Sequence, residues 1–237
     1  LRQRGEVDPD RLARGFGRRY STNPLRGYGG TAHQILREIA AGVPWREVAP
    51  GVFSGQGSMG NGAAMRVAPI GAYFADDLPR AIAAARASAE PTHAHPDGQA
   101  GAIAVAVAAA IAWQQRDRPD GAALLAAVVE HTPDGPPRRG LAKAAELRAQ
   151  GMSTRAAAKI LGSGYGVISS DTVPFALLCA SRHLEDYVEA MWTTVSGLGD
   201  RDTTRPLGVL DLRIALERRT LLADALLLVE LGHPHGL

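Results

Sequence analysis

The sequence contains one cysteine, so no disulfide can form within the chain. Disulfides are characteristic of secreted proteins, and this composition is consistent with a reducing compartment such as the cytoplasm. The cysteine, Cys179, lies in the apolar run 175–180, and a thiol in such surroundings is more often inert than reactive. We therefore expect a soluble cytoplasmic protein whose cysteine belongs to the core.

An excess of charge and a long hydrophobic run are also missing. The chain has 26 basic and 24 acidic residues and a formal net charge of +2, which does not indicate nucleic-acid binding. The longest uncharged apolar run covers residues 100–113 and is too short for a helix that crosses a bilayer. The composition therefore predicts neither a nucleic-acid partner nor a membrane.

Aromatic residues make up only 5% of the sequence, although 46% of its residues are hydrophobic. The core must therefore be built mostly from alanine, leucine, valine and isoleucine. Alanine has the highest helix propensity and lets helices pack closely, so this composition favours an all-α protein. A length of 237 residues is sufficient for one compact core.

Apolar periodicity, capping residues and glycine or proline breaks predict where the helices lie. Asp8, Thr31 and Ser153 are candidate N-caps, and Pro174 is expected to open a helix. Residues 102–107 alternate alanine with valine or isoleucine, which would also fit a strand, but length and alanine content favour a buried helix. The predicted helices cover residues 8–20, 31–41, 63–74, 78–90, 98–116, 119–132, 138–150, 154–161, 174–180 and 184–195.

A glycine-rich loop over residues 50–62 precedes the helix predicted from Ala63. Glycines at a helix N-terminus leave backbone N–H groups available to phosphate oxygens, and the helix dipole favours an anion there. Asn61 adds a side-chain amide that can both donate and accept hydrogen bonds. The alternative is an ordinary glycine-rich connection without a ligand.

Two histidines, His93 and His95, lie in a turn between prolines. The further soft ligands that zinc requires do not accompany them, so a zinc site is disfavoured. A histidine that donates a hydrogen bond to a phosphate or a ribose fits better than a zinc ligand with the anion site predicted at the glycine-rich loop. The alternative is a histidine that caps a helix or lies at the edge of the core.

Asp200, Asp202 and Thr203 form an oxygen-rich cluster directly after Gly199. Carboxylate and hydroxyl oxygens at this spacing suit a hard cation such as Mg²⁺ or Mn²⁺. Taken alone, such a cluster also fits a solvated loop or a helix N-cap. The acidic pair Asp76-Asp77 is interpreted as a solvated helix end.

Together these motifs resemble the ADP-ribosylglycohydrolase family, over roughly residues 8–204. The order and approximate spacing of all of them match that family. The motifs are Gly60-Asn61-Gly62-Ala63-Ala64-Met65-Arg66 followed by Ala68-Pro69-Ile70-Gly71, then Thr92-His93, Gly164-Tyr165-Gly166 before Val173-Pro174-Phe175-Ala176, and Gly199-Asp200-Arg201-Asp202-Thr203-Thr204.

The resemblance implies a compact all-α domain that hydrolyses an N- or O-glycosidic bond and releases ADP-ribose. The implied partners are an ADP-ribosylated protein or a small ADP-ribosyl compound. Two Mg²⁺ or Mn²⁺ ions would orient the ribose hydroxyls and activate water. The implied metal ligands are Asp200, Asp202 and Thr203. The implied ADP-ribose-binding residues are Ser58, Gly60, Asn61, Gly62, His93, Gly164 and Tyr165.

The sequence departs from the family at both ends. The family's N-terminal acidic motifs, which complete the metal site and supply the carboxylate base, have no counterpart, so no catalytic residue is assigned. Residues 205–237 are rich in leucine and arginine, as in an out-of-frame reading. We therefore expect a partial domain over residues 1–204 and a divergent segment after it. A non-catalytic ADP-ribose-binding module or an inactive remnant is the alternative to an enzyme.

Overall fold

The structure is a computed structural model that describes residues 5–199 of the chain. This part is built from helices, as the composition predicts, and its only strand-like pairing is an isolated bridge between Gly60 and Ile168. The helices are α1 (Pro9–Thr22), α2 (Gly30–Ala40), α3 (Trp45–Gly55), α4 (Ala64–Tyr73), α5 (Leu78–Ala89), α6 (Pro96–Gln114), α7 (Gly121–His131), α8 (Pro136–Ala149), α9 (Thr154–Leu161), α10 (Ser169–Arg182) and α11 (Tyr187–Val195).

Helix α6 lies at the centre of the core. Thirteen of its nineteen residues are buried, so it has no solvent-facing side along most of its length. It packs against α4, α5, α7, α8 and α10. A helix surrounded in this way needs small or apolar residues on every face, which explains the alternation of alanine with valine and isoleucine. The helical interpretation of residues 102–107 is confirmed.

One of the closest approaches in this core joins α4 to α6. A Cβ atom placed on Gly71 would lie 2.0 Å from the carbonyl oxygen of Ala106. Any side chain at this position would therefore push the two helices apart. The contact holds α4 in a fixed position beside α6, and the glycine loop enters α4 at its N-terminus.

Capping side chains begin several helices where the sequence predicts them. The carboxylate of Asp8 accepts from the N–H groups of Asp10 and Arg11 at 2.9 and 3.1 Å, and Ser153 Oγ accepts from Ala156 N at 3.4 Å. Asp77, read in the sequence as a solvated helix end, instead caps the start of α5. Each cap satisfies backbone donors that the first turn of a helix leaves unpaired.

Three details differ from the sequence-based expectation. Helix α2 begins at Gly30 without a side-chain cap, so Thr31 is not its N-cap. The expected loop over residues 50–62 is helical as far as Gly55, with a break at residues 52–54. Helix α10 begins at Ser169 and contains Pro174 in its interior. The sequence placed the start of α10 at Pro174, because proline is favoured in the first turn of a helix. In the structure Pro174 packs against Gly140 of α8, and local propensity cannot show such a contact between distant segments.

Cys179 is completely buried in α10, in agreement with the sequence analysis. Burial raises the pKa of its thiol to about 12, so the thiol stays protonated at neutral pH. No helix within residues 5–199 is long and apolar enough to cross a membrane. The segment predicted to diverge, 205–237, lies outside the described residues.

We expect Gly71→Ala to destabilise the fold by about 1–3 kcal/mol, because its methyl group would overlap the backbone of Ala106. Urea unfolding followed by far-ultraviolet circular dichroism measures the change. The matched control is Gly51→Ala in α3, where an added Cβ meets nothing within 4 Å and should be neutral or stabilising. Equal stability of the two variants would contradict the close packing of α4 and α6.

Candidate functional site

The N-termini of three helices meet at the loop formed by residues 57–62, hereafter the glycine loop. Helix α4 follows it directly in the chain. Helix α6 reaches it at Gly98, where an added Cβ would lie 2.6 Å from Ser58 O. Helix α10 reaches it at Ser169, whose N–H donates to Met59 O and whose hydroxyl donates to Gly60 O, both at 3.0 Å. Since each helix N-terminus is the positive end of a dipole, their meeting point favours negative charge.

Two residues of the glycine loop use their side chains to hold the loop together. Asn61 is buried, and its Nδ2 donates to Thr172 Oγ1 of α10 at 3.0 Å. Ser58 is also buried, and its Oγ accepts from Gly60 N at 3.2 Å. Both were predicted to contact ADP-ribose. In this structure their side chains shape the loop, and the available ligand contacts are mainly its backbone groups.

Two of these backbone groups are available as donors. The N–H groups of Gly62 and Ala63, at the entrance to α4, donate to no partner within residues 5–199. Unpaired N–H groups at a helix N-terminus are the usual donors to phosphate oxygens. The binding of an anion at this loop stays a prediction, and these two N–H groups are donors that could serve it.

The turn that carries the two histidines packs directly on the glycine loop. Gly57 has a positive φ of 75°, and a Cβ there would lie 2.7 Å from His95 N. His95 caps α6, because its Nδ1 accepts from Asp97 N at 3.0 Å. His93 is buried, and its Nε2 lies 3.3 Å from the position that a Cβ atom would occupy on either Gly60 or Gly62. The two histidines thus differ in role: His95 caps a helix and His93 lies against the loop.

The pKa of His93 is lowered to about 3, mainly by burial and secondly by the positive charge of Arg66. Its imidazole is therefore neutral at physiological pH. A neutral imidazole has one nitrogen that donates a hydrogen bond and one that accepts. Consequently His93 can offer a ligand either a donor or an acceptor, but no charge.

Arg66 is a residue whose role the sequence analysis missed. Its guanidinium donates to Gly62 O at 3.0 Å, Ser88 O at 2.9 Å and Thr92 Oγ1 at 2.8 Å. The residue as a whole is only partly covered, but its Nε is closed off from solvent and burial lowers its pKa to about 10. It forms no ion pair with a carboxylate of residues 5–199. An arginine inside the otherwise apolar helix α4 was the available signal.

The turn formed by residues 162–166 is joined to the glycine loop by the segment that follows it. Gly60 pairs with Ile168, and Asn61 N donates to Val167 O at 3.2 Å. Asp171 of α10 fixes the turn, because its Oδ2 accepts from Gly166 N at 2.5 Å. Gly164 has a φ of 91°, and Tyr165 at the tip is 88% exposed. The two predicted residues of this turn thus lie at the same end of α10 as the glycine loop.

The predicted metal ligands Asp200, Asp202 and Thr203 lie outside the described residues. Gly199, the last residue described, packs on the turn of residues 162–166, since a Cβ there would overlap Ser163 O. Within residues 5–199, no three His, Cys, Asp or Glu side chains lie close enough together to hold a metal ion.

Lowering the pH should destabilise the protein through His93. The unfolded histidine titrates near 6.5 and the folded one near 3, so between these values only the unfolded chain binds the proton. Stability should therefore be full above pH 6.5 and fall as the pH decreases, by up to about 1.4 kcal/mol per pH unit from this residue.

Urea unfolding of wild type and His93→Gln from pH 7 to pH 4 measures this contribution, because glutamine does not titrate. The variant should show the shallower loss of stability with decreasing pH. Identical slopes in the two proteins would contradict the burial of a neutral His93.

Comparison with known proteins agrees with this arrangement. The profile of the ADP-ribosylglycohydrolase family matches residues 1–204. The ADP-ribosylhydrolase ARH3 of Mus musculus is 30% identical over 205 residues, which cover 78% of this chain and 53% of that protein. The ARH3 of Homo sapiens is 31% identical over 201 residues, covering 76% and 53%.

A shorter match has a higher identity. The ADP-ribosylhydrolase ARH3 of Xenopus tropicalis is 37% identical over 100 residues, which cover 41% of this chain and 28% of that protein. The two longer matches show that the chain spans about half the length of those curated relatives. The family profile, in contrast, covers all of the residues that the structure describes. The chain therefore belongs to the ADP-ribosylglycohydrolase family.

Proposed function

We propose that the chain binds ADP-ribose at the glycine loop and, with bound divalent cations, hydrolyses the glycosidic bond of an ADP-ribosylated substrate. The observation that carries this proposal is the meeting of the N-termini of α4, α6 and α10 at one loop. The relatives named above are ADP-ribosylhydrolases, which supports the choice of substrate class. The substrate would be an ADP-ribosylated protein or a small ADP-ribosyl compound.

The electrostatics of the loop suit a diphosphate. The N–H groups of Gly62 and Ala63 are available as donors, and the positively charged guanidinium of Arg66 donates to Gly62 O at 3.0 Å. Arg66 has no carboxylate partner within residues 5–199, so its field at the loop is not cancelled by an ion pair. A diphosphate would supply the missing negative charge while accepting hydrogen bonds from the backbone.

The remaining parts of ADP-ribose would extend from this point. His93 lies against Gly60 and Gly62 and would donate or accept at a phosphate or ribose oxygen. The turn that holds Gly164 and Tyr165 would border the adenine. The exposed ring of Tyr165 offers an aromatic surface on which a base can stack.

The metal ligands in this proposal are Asp200, Asp202 and Thr203. Their oxygen donors suit a hard cation, and the chain approaches them from Gly199, which packs on the same turn as Tyr165. Mg²⁺ or Mn²⁺ held there would supply Lewis acidity beside the sugar and a more acidic water. The chain's own residues would bind the diphosphate and position the ribose.

A second candidate is a non-catalytic ADP-ribose-binding module. It is favoured by one observation: the glycine loop, His93 and the Gly164–Tyr165 turn come together within residues 5–199, where no three His, Cys, Asp or Glu side chains lie close enough to hold a metal ion. Release of free ADP-ribose from an arginine-modified protein distinguishes the two candidates. Binding without release from this N-linked substrate or from an O-linked one would leave only the module.

Calorimetric titration with ADP-ribose should show binding that Mg²⁺ strengthens. Asp202→Ala should remove the Mg²⁺-dependent part and leave the metal-free affinity unchanged, because the glycine loop is untouched. Asp76→Ala, an exposed aspartate far along the chain, is the matched control and should behave as wild type. Full Mg²⁺ dependence in Asp202→Ala would refute the metal assignment.

Gly60→Ala should weaken ADP-ribose binding roughly tenfold, since loss of one good hydrogen bond has about this effect. The added methyl would lie 3.1 Å from Ser58 Oγ and 3.3 Å from His93 Nε2, where it crowds the proposed phosphate site. Gly29→Ala, where an added Cβ meets nothing within 4 Å, is the control. Wild-type affinity in Gly60→Ala would place the ligand elsewhere.

A further inference from the structure

Thr92 lies between a charged donor and His93. Its Oγ1 is 2.8 Å from Arg66 Nη2 and 2.7 Å from His93 Nδ1. A guanidinium nitrogen can only donate, so the hydroxyl oxygen of Thr92 is the acceptor of the first bond. The direction of the second bond then depends on where the hydroxyl proton of Thr92 points.

That proton has two acceptors within reach. One is the carbonyl oxygen of Ala89, at 3.4 Å, and the other is His93 Nδ1, at 2.7 Å. The first distance is at the long limit for an O–H donor, whereas the second is the usual length. If Nδ1 carried the proton instead, the Thr92 hydroxyl would receive two donors and have only the long contact to Ala89. The geometry therefore makes Nδ1 an acceptor.

Building on the proposed function, we infer that Arg66 and Thr92 act as a relay that fixes the tautomer of His93, so that Nε2 carries its proton and donates to an oxygen of bound ADP-ribose. Nε2 has no hydrogen-bond partner within residues 5–199 and is not completely closed off from the surface. It lies beside Gly60 and Gly62, where the glycine loop leaves space. Arg66 and Thr92 are positioning residues, because they act through His93.

The surroundings of His93 keep this donor neutral. Helix α4 contributes the cation Arg66, which opposes a second positive charge on the imidazole. The glycine loop faces the ring with Ser58, Gly60 and Gly62, and α6 faces it with Gly98. None of these four residues is ionisable. The hydrogen bond to the ligand would therefore not require protonation of the ring.

The tautomer can be read directly from the wild-type protein. Two-bond ¹H–¹⁵N correlation spectra of protein labelled with ¹⁵N-histidine distinguish a protonated from an unprotonated ring nitrogen, and His93→Gln assigns the signals. We expect His93 to show a proton on Nε2 and none on Nδ1 from pH 5 to pH 8. A proton on Nδ1, or a charged ring at pH 7, would overturn the inference whether or not a ligand binds.

Variants of Thr92 test whether the relay matters for the ligand. Thr92→Ser keeps the hydroxyl and should retain the tautomer and the ADP-ribose affinity. Thr92→Val removes the hydroxyl and should both lose the fixed tautomer and bind ADP-ribose roughly tenfold more weakly. The matched control is Thr154→Val, which removes a hydroxyl that also accepts from an arginine, Arg182, at 3.2 Å. It should change neither quantity.

The outcomes separate this inference from the proposed function. If the wild-type tautomer is as expected but ADP-ribose does not bind, the proposed function fails, and of the inference only the fixed tautomer of His93 stands. If ADP-ribose binds and Thr92→Val retains both tautomer and affinity, the relay is wrong and the proposed function stands. Should Thr92→Val fail to fold, the wild-type spectrum still tests the inference, because a proton on Nδ1 of His93 would overturn it.

Discussion

The contact of α4 with α6 at Gly71 and Ala106 is the constraint on which the site depends. Helix α6 is enclosed by other helices, so its neighbours approach closely only where side chains are small. With α4 held against α6, Arg66 is brought to the turn of Thr92 and His93, and the glycine loop lies over both. This close packing therefore requires the alanine-rich composition. The packing of α4 on α6 in turn fixes the geometry of the site.

The site combines the partly covered guanidinium of Arg66, whose Nε is closed off from solvent, with a neutral histidine. Removing an arginine from water costs several kcal/mol unless hydrogen bonds replace the lost hydration, and three acceptors together with the ring of Phe16 at 5.1 Å surround Arg66. These acceptors are uncharged, so they solvate the guanidinium without neutralising its charge. A structural ion pair would have had the opposite effect, because it would have cancelled the field at the glycine loop.

Much of the fold could be predicted from the sequence, because its signals are local. The alanine content predicted the all-α class. Asp8 and Ser153 mark the starts of helices, because their side chains accept hydrogen bonds from N–H groups two or three positions away. The start of α10 could not be predicted, since the packing of Pro174 against Gly140 overrides the local preference for proline near a helix start.

The site shows the same division between local and distant contacts. The glycine loop and His93 could be found from motifs, and the structure brings both together with the turn of Gly164 and Tyr165. The hydrogen bonds of Arg66 to Ser88 and Thr92, and that of Asn61 to Thr172, could not be predicted from the sequence. The bonded residues are 22 to 111 positions apart in the chain. The assignment of Asp200, Asp202 and Thr203 to a metal stays a prediction.

The small-residue core has a spectroscopic consequence. Its buried side chains include phenylalanine but no tryptophan: Trp45 donates to Asp10 at 2.7 Å near the surface, Trp113 lies under Arg116 at the end of α6, and Trp192 is 60% exposed. Intrinsic tryptophan fluorescence will therefore report on the edges of the molecule. Opening of the packing around the centre of α6 will therefore be followed better by the helical signal in circular dichroism than by the indole emission.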